Sequence, residues 1–130
     1  MRSVNLVNKM PFEYFEKMMS FDVVANDACI EVNFSVDDSF EYNSCWLGKM
    51  PCNNTSQELY WYGLVSDGTQ AYDYSNLTNF INAPIFHNKN IKEVWHLVTF
   101  HSIDGCDVDW RIAHYLGLED GPSRGSSKPI

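Results

Sequence analysis

Residues 57–74 constrain the fold more than any other stretch, because they have the pattern of a β-hairpin. Two runs rich in aromatic and β-branched residues flank Asp67-Gly68, a dipeptide that favours a two-residue type I′ turn. Both residues of such a turn adopt positive φ, which Asp and Gly tolerate. The turn fixes the strand register, so that Trp61 is predicted to face Tyr74 and Gly63 to face Tyr72.

The two faces of this hairpin have different predicted roles. A Trp–Tyr cross-strand pair and a tyrosine over a glycine both stabilise a sheet, so we expect one face to pack in the core. That face consists of Leu59, Trp61, Gly63, Val65, Tyr72 and Tyr74. The opposite face, which we expect to be exposed, consists of Tyr60, Tyr62, Leu64, Ala71 and Asp73.

Strand patterns also precede the hairpin. Residues 29–36 alternate between apolar and polar side chains, as in an antiparallel strand with one solvated face. Asp37-Asp38-Ser39 has turn chemistry, residues 40–47 are predicted to form the returning strand, and residues 48–56 a loop. Short connections of this kind favour four strands in meander order.

Helical patterns lie at both ends of the chain. Residues 10–20 carry an apolar stripe, residues 76–82 have a cap at Ser75 or Asn76, and Asn90 with Glu93 forms a capping box before a third helix. Residues 99–103 are a candidate fifth strand, and residues 110–116 a last helix with Asp107 or Asp109 as its cap and Gly117 at its end. The sequence predicts one α+β domain over residues 1–120, in which an antiparallel four- to five-stranded meander sheet has three to four helices packed on one face. Residues 121–130, rich in Gly, Ser and Pro, are predicted to be a disordered tail.

The negative charge is confined to the middle of the chain. Residues 18–88 contain one basic residue, Lys49, and nine acidic residues, whereas the remaining basic and acidic residues cancel. This segment therefore carries the whole net charge of −8, together with twelve of the nineteen aromatic residues. Direct nucleic-acid binding is disfavoured, because phosphate contacts require clustered Lys and Arg.

Location and redox state follow from simple features. The sequence has no apolar run long enough to span a membrane and no signal-peptide pattern at residues 1–9, so we expect a cytoplasmic protein without membrane contact. The four cysteines are irregularly spaced, and we expect reduced thiols. Cys29 and Cys45 are predicted to be small core residues.

No motif in the sequence identifies a reaction. The Cys and His spacings do not match compact zinc sites, and glycine-rich phosphate loops are absent, so neither a metal nor another cofactor is predicted. Cys106 has His101, His114 and several carboxylates nearby in sequence, which leaves a small thiol enzyme as one alternative. Neighbouring negative charge works against it by disfavouring the thiolate.

The acidic and aromatic segment therefore favours binding of a basic protein over catalysis. The candidate binding residues are Tyr60, Tyr62, Asp73, Glu31, Asp37, Asp38 and Glu41. Such a surface suits a small inhibitor, antidote or immunity-type protein that opposes a nucleic-acid-handling effector, for example a nuclease. A protein that holds an apolar small molecule among its aromatic residues is a further alternative, and both alternatives remain open.

Overall fold

The computed structural model describes residues 10–52, 57–65 and 69–117, and these form an α+β fold, as predicted. In chain order the elements are α1 (Phe12–Met19), β1 (Ile30–Val36), β2 (Cys45–Pro51), β3 (Glu58–Gly63), β4 (Ala71–Tyr74), α2 (Leu77–Asn82), β5 (Val98–Ile103) and α3 (Val108–Leu116). Short 3-10 helices, Phe40–Tyr42 and Trp95–Leu97, precede β2 and β5. The predicted tail, residues 121–130, lies outside the described residues.

The five strands form one antiparallel sheet in the order β4-β3-β2-β1-β5. Strands β1 to β4 follow the predicted meander, whereas β5 returns across the molecule to pair with β1. The pairing of β1 with β5 shifts between Asn33, which faces Ser102, and Phe34, which faces Phe100. His101 is therefore the extra residue of a β-bulge.

The predicted register of the β3–β4 hairpin is wrong by one residue. As a result, the face of β3 that packs in the core is the one that carries its tyrosines. Tyr60 pairs with Tyr74 and Tyr62 with Tyr72. The connection is longer than a two-residue turn, because the Leu64 N–H already donates to the carbonyl oxygen of Gln70 (2.9 Å). A slip of one residue moves every side chain of a strand to the other face. Residues 66–68, which include the predicted turn, lie outside the described residues.

Helices α1 and α2 pack on this core face through aromatic rings. Phe80 of α2 stacks on Tyr62 with ring centroids 4.2 Å apart. Phe15 of α1 contacts Trp95 at 5.1 Å and Phe100 of β5 at 5.8 Å. Aromatic pairs in these geometries add to the stabilisation from burial alone. Helix α3 in turn packs against α1 and β5.

Helix ends follow the predicted capping chemistry. The Asn76 side chain accepts a hydrogen bond from the Asn79 N–H (2.8 Å), and the Asp107 carboxylate accepts one from the Trp110 N–H (3.2 Å). Gly117 ends α3 in the left-handed conformation with φ 70°.

The prediction of a loop over residues 48–56 is wrong at its start, because β2 continues to Pro51. Lys49 lies on the core face and is only 1% exposed. Its ammonium group donates to the carbonyl oxygens of Met19 (2.9 Å) and Phe21 (2.7 Å) and pairs with Glu58 (3.1 Å). A cation of this kind satisfies carbonyl groups left free at and beyond a helix C-terminus, which is how a lysine is accommodated in this strand.

The predicted third helix is also wrong, although its capping box forms. The Asn90 N–H donates to the Glu93 carboxylate and the Glu93 N–H to the Asn90 side chain, both at 2.9 Å. Turns and the Trp95–Leu97 3-10 helix follow instead of an α-helix. Val98 already pairs with Val36 in the sheet, so strand pairing ends the helical segment early.

Candidate functional site

The face of the sheet opposite the core, here called the open face, carries side chains that are half-buried or exposed. Its apolar members come from β2 and β3: Trp46, Met50, Leu59 and Trp61. Trp46 is 40% exposed, which is unusual for so large an apolar side chain in an inner strand of a sheet. Exposed aromatic side chains on a rigid sheet are typical of sites that contact another molecule.

Two glycines shape the open face in different ways. Gly48 lies opposite Trp61, and a Cβ atom at Gly48 would be 2.6 Å from the Trp61 ring, so the indole covers this position. Gly63 lies opposite Trp46, and a Cβ atom there would have no described atom within 4 Å. The open face therefore has a notch at Gly63, bordered by Trp46 on β2 and by Ala71 on β4.

Carboxylates flank these tryptophans. Asp73 lies directly opposite Trp61, and Glu31 lies opposite Gly48 on the other side. Both are exposed, and within the part of the chain that the structure describes neither pairs with a cation. Lys49, the one basic residue of the acidic segment, has its side chain in the core. The open face consequently combines apolar rings with unneutralised negative charge.

A shallow depression of about 370 Å³ adjoins the open face where β1 ends. Ser35 and His101 line it and are joined by a hydrogen bond of 2.9 Å. Asp37 and Asp38 also line it, and the Asp37 carboxylate accepts a hydrogen bond from the Thr99 hydroxyl (3.0 Å). The acidic turn thus extends the negative charge of the open face to one end of the sheet.

The structure separates the predicted binding residues into two groups. Glu31 and Asp73 lie on the open face, Asp37 and Asp38 at its end, and Glu41 is exposed and contacts His87 at 2.5 Å. Tyr60 and Tyr62 belong to the core, so the expectation that they form an exposed binding face is wrong. The Tyr62 hydroxyl donates to the Phe80 carbonyl oxygen (2.9 Å), and burial raises its pKa well above the usual value.

Trp46 and Trp61, which replace the tyrosines as candidate contact residues, were not predicted to be exposed. The strand alternation contains the necessary signal: if Cys45 and Leu47 point into the core, Trp46 and Gly48 must point away from it. A glycine opposite a tryptophan also indicates that the ring lies across the neighbouring strand.

The residues of the predicted thiol site have other contacts. The Cys106 thiol donates to the carbonyl oxygen of Asp104 in its own turn (3.7 Å), whereas His101 is bonded to Ser35. The Asp104 carboxylate accepts from Arg111 (2.9 Å) and from the Tyr115 hydroxyl, which contributes to raising the pKa of Tyr115 after the larger effect of burial. This carboxylate therefore serves to join β5 to α3.

All four cysteines lie within the described residues, and among these residues no two cysteines form a disulfide bond. Cys45 is buried as predicted, and burial raises its pKa to about 11. The prediction for Cys29 is wrong, because this residue is exposed one position before β1 begins.

Two further observations concern metals and membranes. Within residues 10–52, 57–65 and 69–117, no three His, Cys, Asp or Glu side chains are placed so that they could hold a metal ion. None of the described helices has the length and apolar character needed to cross a bilayer. The predicted cytoplasmic location stays a prediction.

Comparison of the chain with protein-family models, with curated proteins and with solved structures gives no significant match. The geometry and chemistry of the fold and the open face define an α+β domain with an acidic, tryptophan-bearing sheet face.

Proposed function

We propose that this chain is a small acidic protein-binding module without chemistry of its own, which docks through its open face onto a basic partner protein. The observation that carries the proposal is the placement of Trp46 and Trp61 on a sheet face whose nearest charges are the carboxylates of Glu31 and Asp73. Tryptophan is enriched among residues that dominate binding energy, and flanking charges select the partner and speed its approach.

The charge distribution supports a basic partner rather than a second copy of the chain. Residues 18–88 carry the whole net charge of −8, and their one lysine is buried. Self-association through the open face would place the carboxylates of one copy against those of the other, and this repulsion costs free energy. A nucleic-acid-handling effector, such as a nuclease, has the opposite charge because it binds phosphate, and an acidic face can occupy the same surface. The module would then act as an inhibitor, antidote or immunity-type protein.

The test compares three immobilised proteins in an extract of the source cell: the native chain, Trp46→Ser and the matched control Trp110→Ser. Trp110 lies on α3 and is 43% exposed, close to the value for Trp46, but it is remote in sequence from the open-face strands. We expect a basic protein to be retained by the native chain and by Trp110→Ser, lost with Trp46→Ser, and eluted by salt. Circular dichroism checks that each variant is folded.

The purified partner then allows the kinetics to be measured. Glu31→Gln and Asp73→Asn should mainly lower the association rate, and this effect should shrink as salt rises, because ions screen exposed charges beyond about 8–10 Å. Trp46→Ser should mainly raise the dissociation rate. A partner that binds Trp46→Ser as tightly as the native chain, or whose association ignores both salt and these carboxylates, would contradict the proposal.

A further inference from the structure

The notch at Gly63 is a place on the open face where a missing side chain leaves space, because a Cβ atom there would have no described atom within 4 Å. Gly63 lies between Trp46 and Ala71 on the neighbouring strands, and Trp61 precedes it by two positions on the same face of β3. Adjacent strands are about 4.8 Å apart, so the backbones of β2 and β4 lie about 10 Å apart with one unfilled side-chain position between them. The other glycine, Gly48, offers no such space because the Trp61 ring fills it.

We propose that this notch receives an arginine side chain of the partner protein, an inference that rests on the docking role proposed for the open face. A guanidinium group is flat and weakly hydrated, and it stacks on indole rings while its N–H groups donate to a carboxylate. Trp46, whose side chain is 40% exposed, lies directly opposite Gly63 on β2, and Asp73 lies diagonally across from Gly63 on β4, about 7 Å away between Cα atoms.

Charge complementarity selects this occupant. Within the described residues no cation of the chain itself pairs with Asp73, so the carboxylate is available to an incoming cation. An apolar side chain would leave Asp73 beside it without a partner. Lysine carries the same charge, but its compact, strongly hydrated ammonium group cannot stack on an indole ring as a planar group can.

The probes are three short peptides, acetyl-Gly-X-Gly-amide, in which X is arginine, lysine or citrulline, the neutral analogue of arginine. Binding is followed by NMR through the indole N–H signals of Trp46 and Trp61 and the amide signal of Gly63. We expect the arginine peptide to shift these three signals saturably, the lysine peptide to bind more weakly, and the citrulline peptide to bind at least about tenfold more weakly, a difference of about 1.4 kcal/mol.

Substitutions at Gly63 and Asp73 test the notch itself. Gly63→Val fills the notch with a residue suited to strands, and it should abolish the response to arginine while the other amide signals remain those of a folded protein. Should this variant not fold, Gly63→Ala provides a smaller filling and should weaken arginine binding severalfold. Asp73→Asn should also weaken it severalfold. Equal binding of arginine and citrulline, no saturable shift with arginine, or full arginine binding by the folded Gly63 variant would overturn the inference.

Failure of this inference can be separated from failure of the proposed function. If the basic partner requires Trp46 but binds a folded Gly63→Val chain normally, the partner docks on the open face and the proposal of an arginine in the notch is wrong. If the partner binds both Trp46→Ser and Gly63→Val normally, both proposals are wrong.

Discussion

The indole ring of Trp61 lies on Gly48 of the neighbouring strand so closely that a Cβ atom at Gly48 would be 2.6 Å from the ring. The same atom would be 2.2 Å from the carbonyl oxygen of Ile30, a backbone atom that cannot move away alone. The ring therefore packs directly on the backbone of β2, and the Trp61 side chain is already partly buried without a partner. An aromatic side chain that is already packed loses less conformational entropy on binding than a free one, which favours its use as a contact residue.

The first prediction concerns this contact. Gly48→Ala should lower the free energy of unfolding by about 1–3 kcal/mol, the usual cost of forcing extra atoms into a packed site. Gly63→Ala is the matched control, because its methyl group meets no described atom within 4 Å, and its effect should stay within about 0.5 kcal/mol. Urea unfolding measures both. An effect of Gly48→Ala as small as that expected for Gly63→Ala would contradict the close packing of Ile30 and Trp61 around Gly48.

The second prediction concerns the buried cation. Lys49→Met removes the partner of Glu58 and leaves the carbonyl oxygens of Met19 and Phe21 without their donor. We expect the free energy of unfolding to fall by about 3 kcal/mol, at the low end for a broken buried pair because Glu58 is 23% exposed. Lys17→Met, on the exposed side of α1, should change it by less than about 0.5 kcal/mol. A native-like melting curve for Lys49→Met would contradict this role.

Local patterns were sufficient for much of the fold. The alternation of residues 29–36 predicts β1, which begins at Ile30. The predicted caps, Ser75 or Asn76 and Asp107 or Asp109, indicate where α2 and α3 begin, and Asn76 and Asp107 are the residues that cap them. These features depend on residues close in sequence, which is why they can be recognised without tertiary information. The capping box at Asn90 was equally clear, yet pairing of Val98 with β1 overrides the helix that it predicts.

The sequence alone does not predict which face of β3 is open, because a shift of the strand pairing by one residue exchanges the two faces. Both faces of β3 are aromatic, so composition does not distinguish the face of Tyr60 and Tyr62 from that of Trp61. The Asp67-Gly68 pattern predicts a turn of two residues, whereas the pairing of Gly63 with Ala71 requires a longer connection. The pairing of β5 with β1 is likewise a long-range contact that no local sequence pattern predicts.

The third prediction follows from the burial of Tyr62. Tyr62→Phe removes the hydroxyl that donates to the Phe80 carbonyl oxygen and should lower the free energy of unfolding by about 1 kcal/mol. Tyr62→Ala should cost about 3–5 kcal/mol, because it also leaves a cavity beneath Phe80. Partner binding by folded Tyr62→Phe should be unchanged. Weakened partner binding with unchanged stability would instead indicate that Tyr62 contacts the partner.

The last prediction tests the alternative of a thiol enzyme. A cysteine nucleophile must be ionised and accessible near neutral pH, and it then reacts with iodoacetamide far faster than an ordinary thiol. The Cys106 thiol instead donates a hydrogen bond to the Asp104 carbonyl oxygen in its own turn, and His101, the candidate base, is bonded to Ser35. We therefore expect Cys106 to react at pH 7 no faster than a free cysteine peptide, which mass spectrometry of digested samples measures.

The other cysteines supply internal controls for that experiment. Cys29 is exposed and should react at an ordinary rate, whereas burial raises the pKa of Cys45 to about 11 and keeps this thiol protonated at pH 7. Its labelling should therefore require unfolding, and it should rise sharply in urea. Rapid and selective alkylation of Cys106 in the folded chain, with Cys45 still protected, would support catalysis and count against a purely binding role.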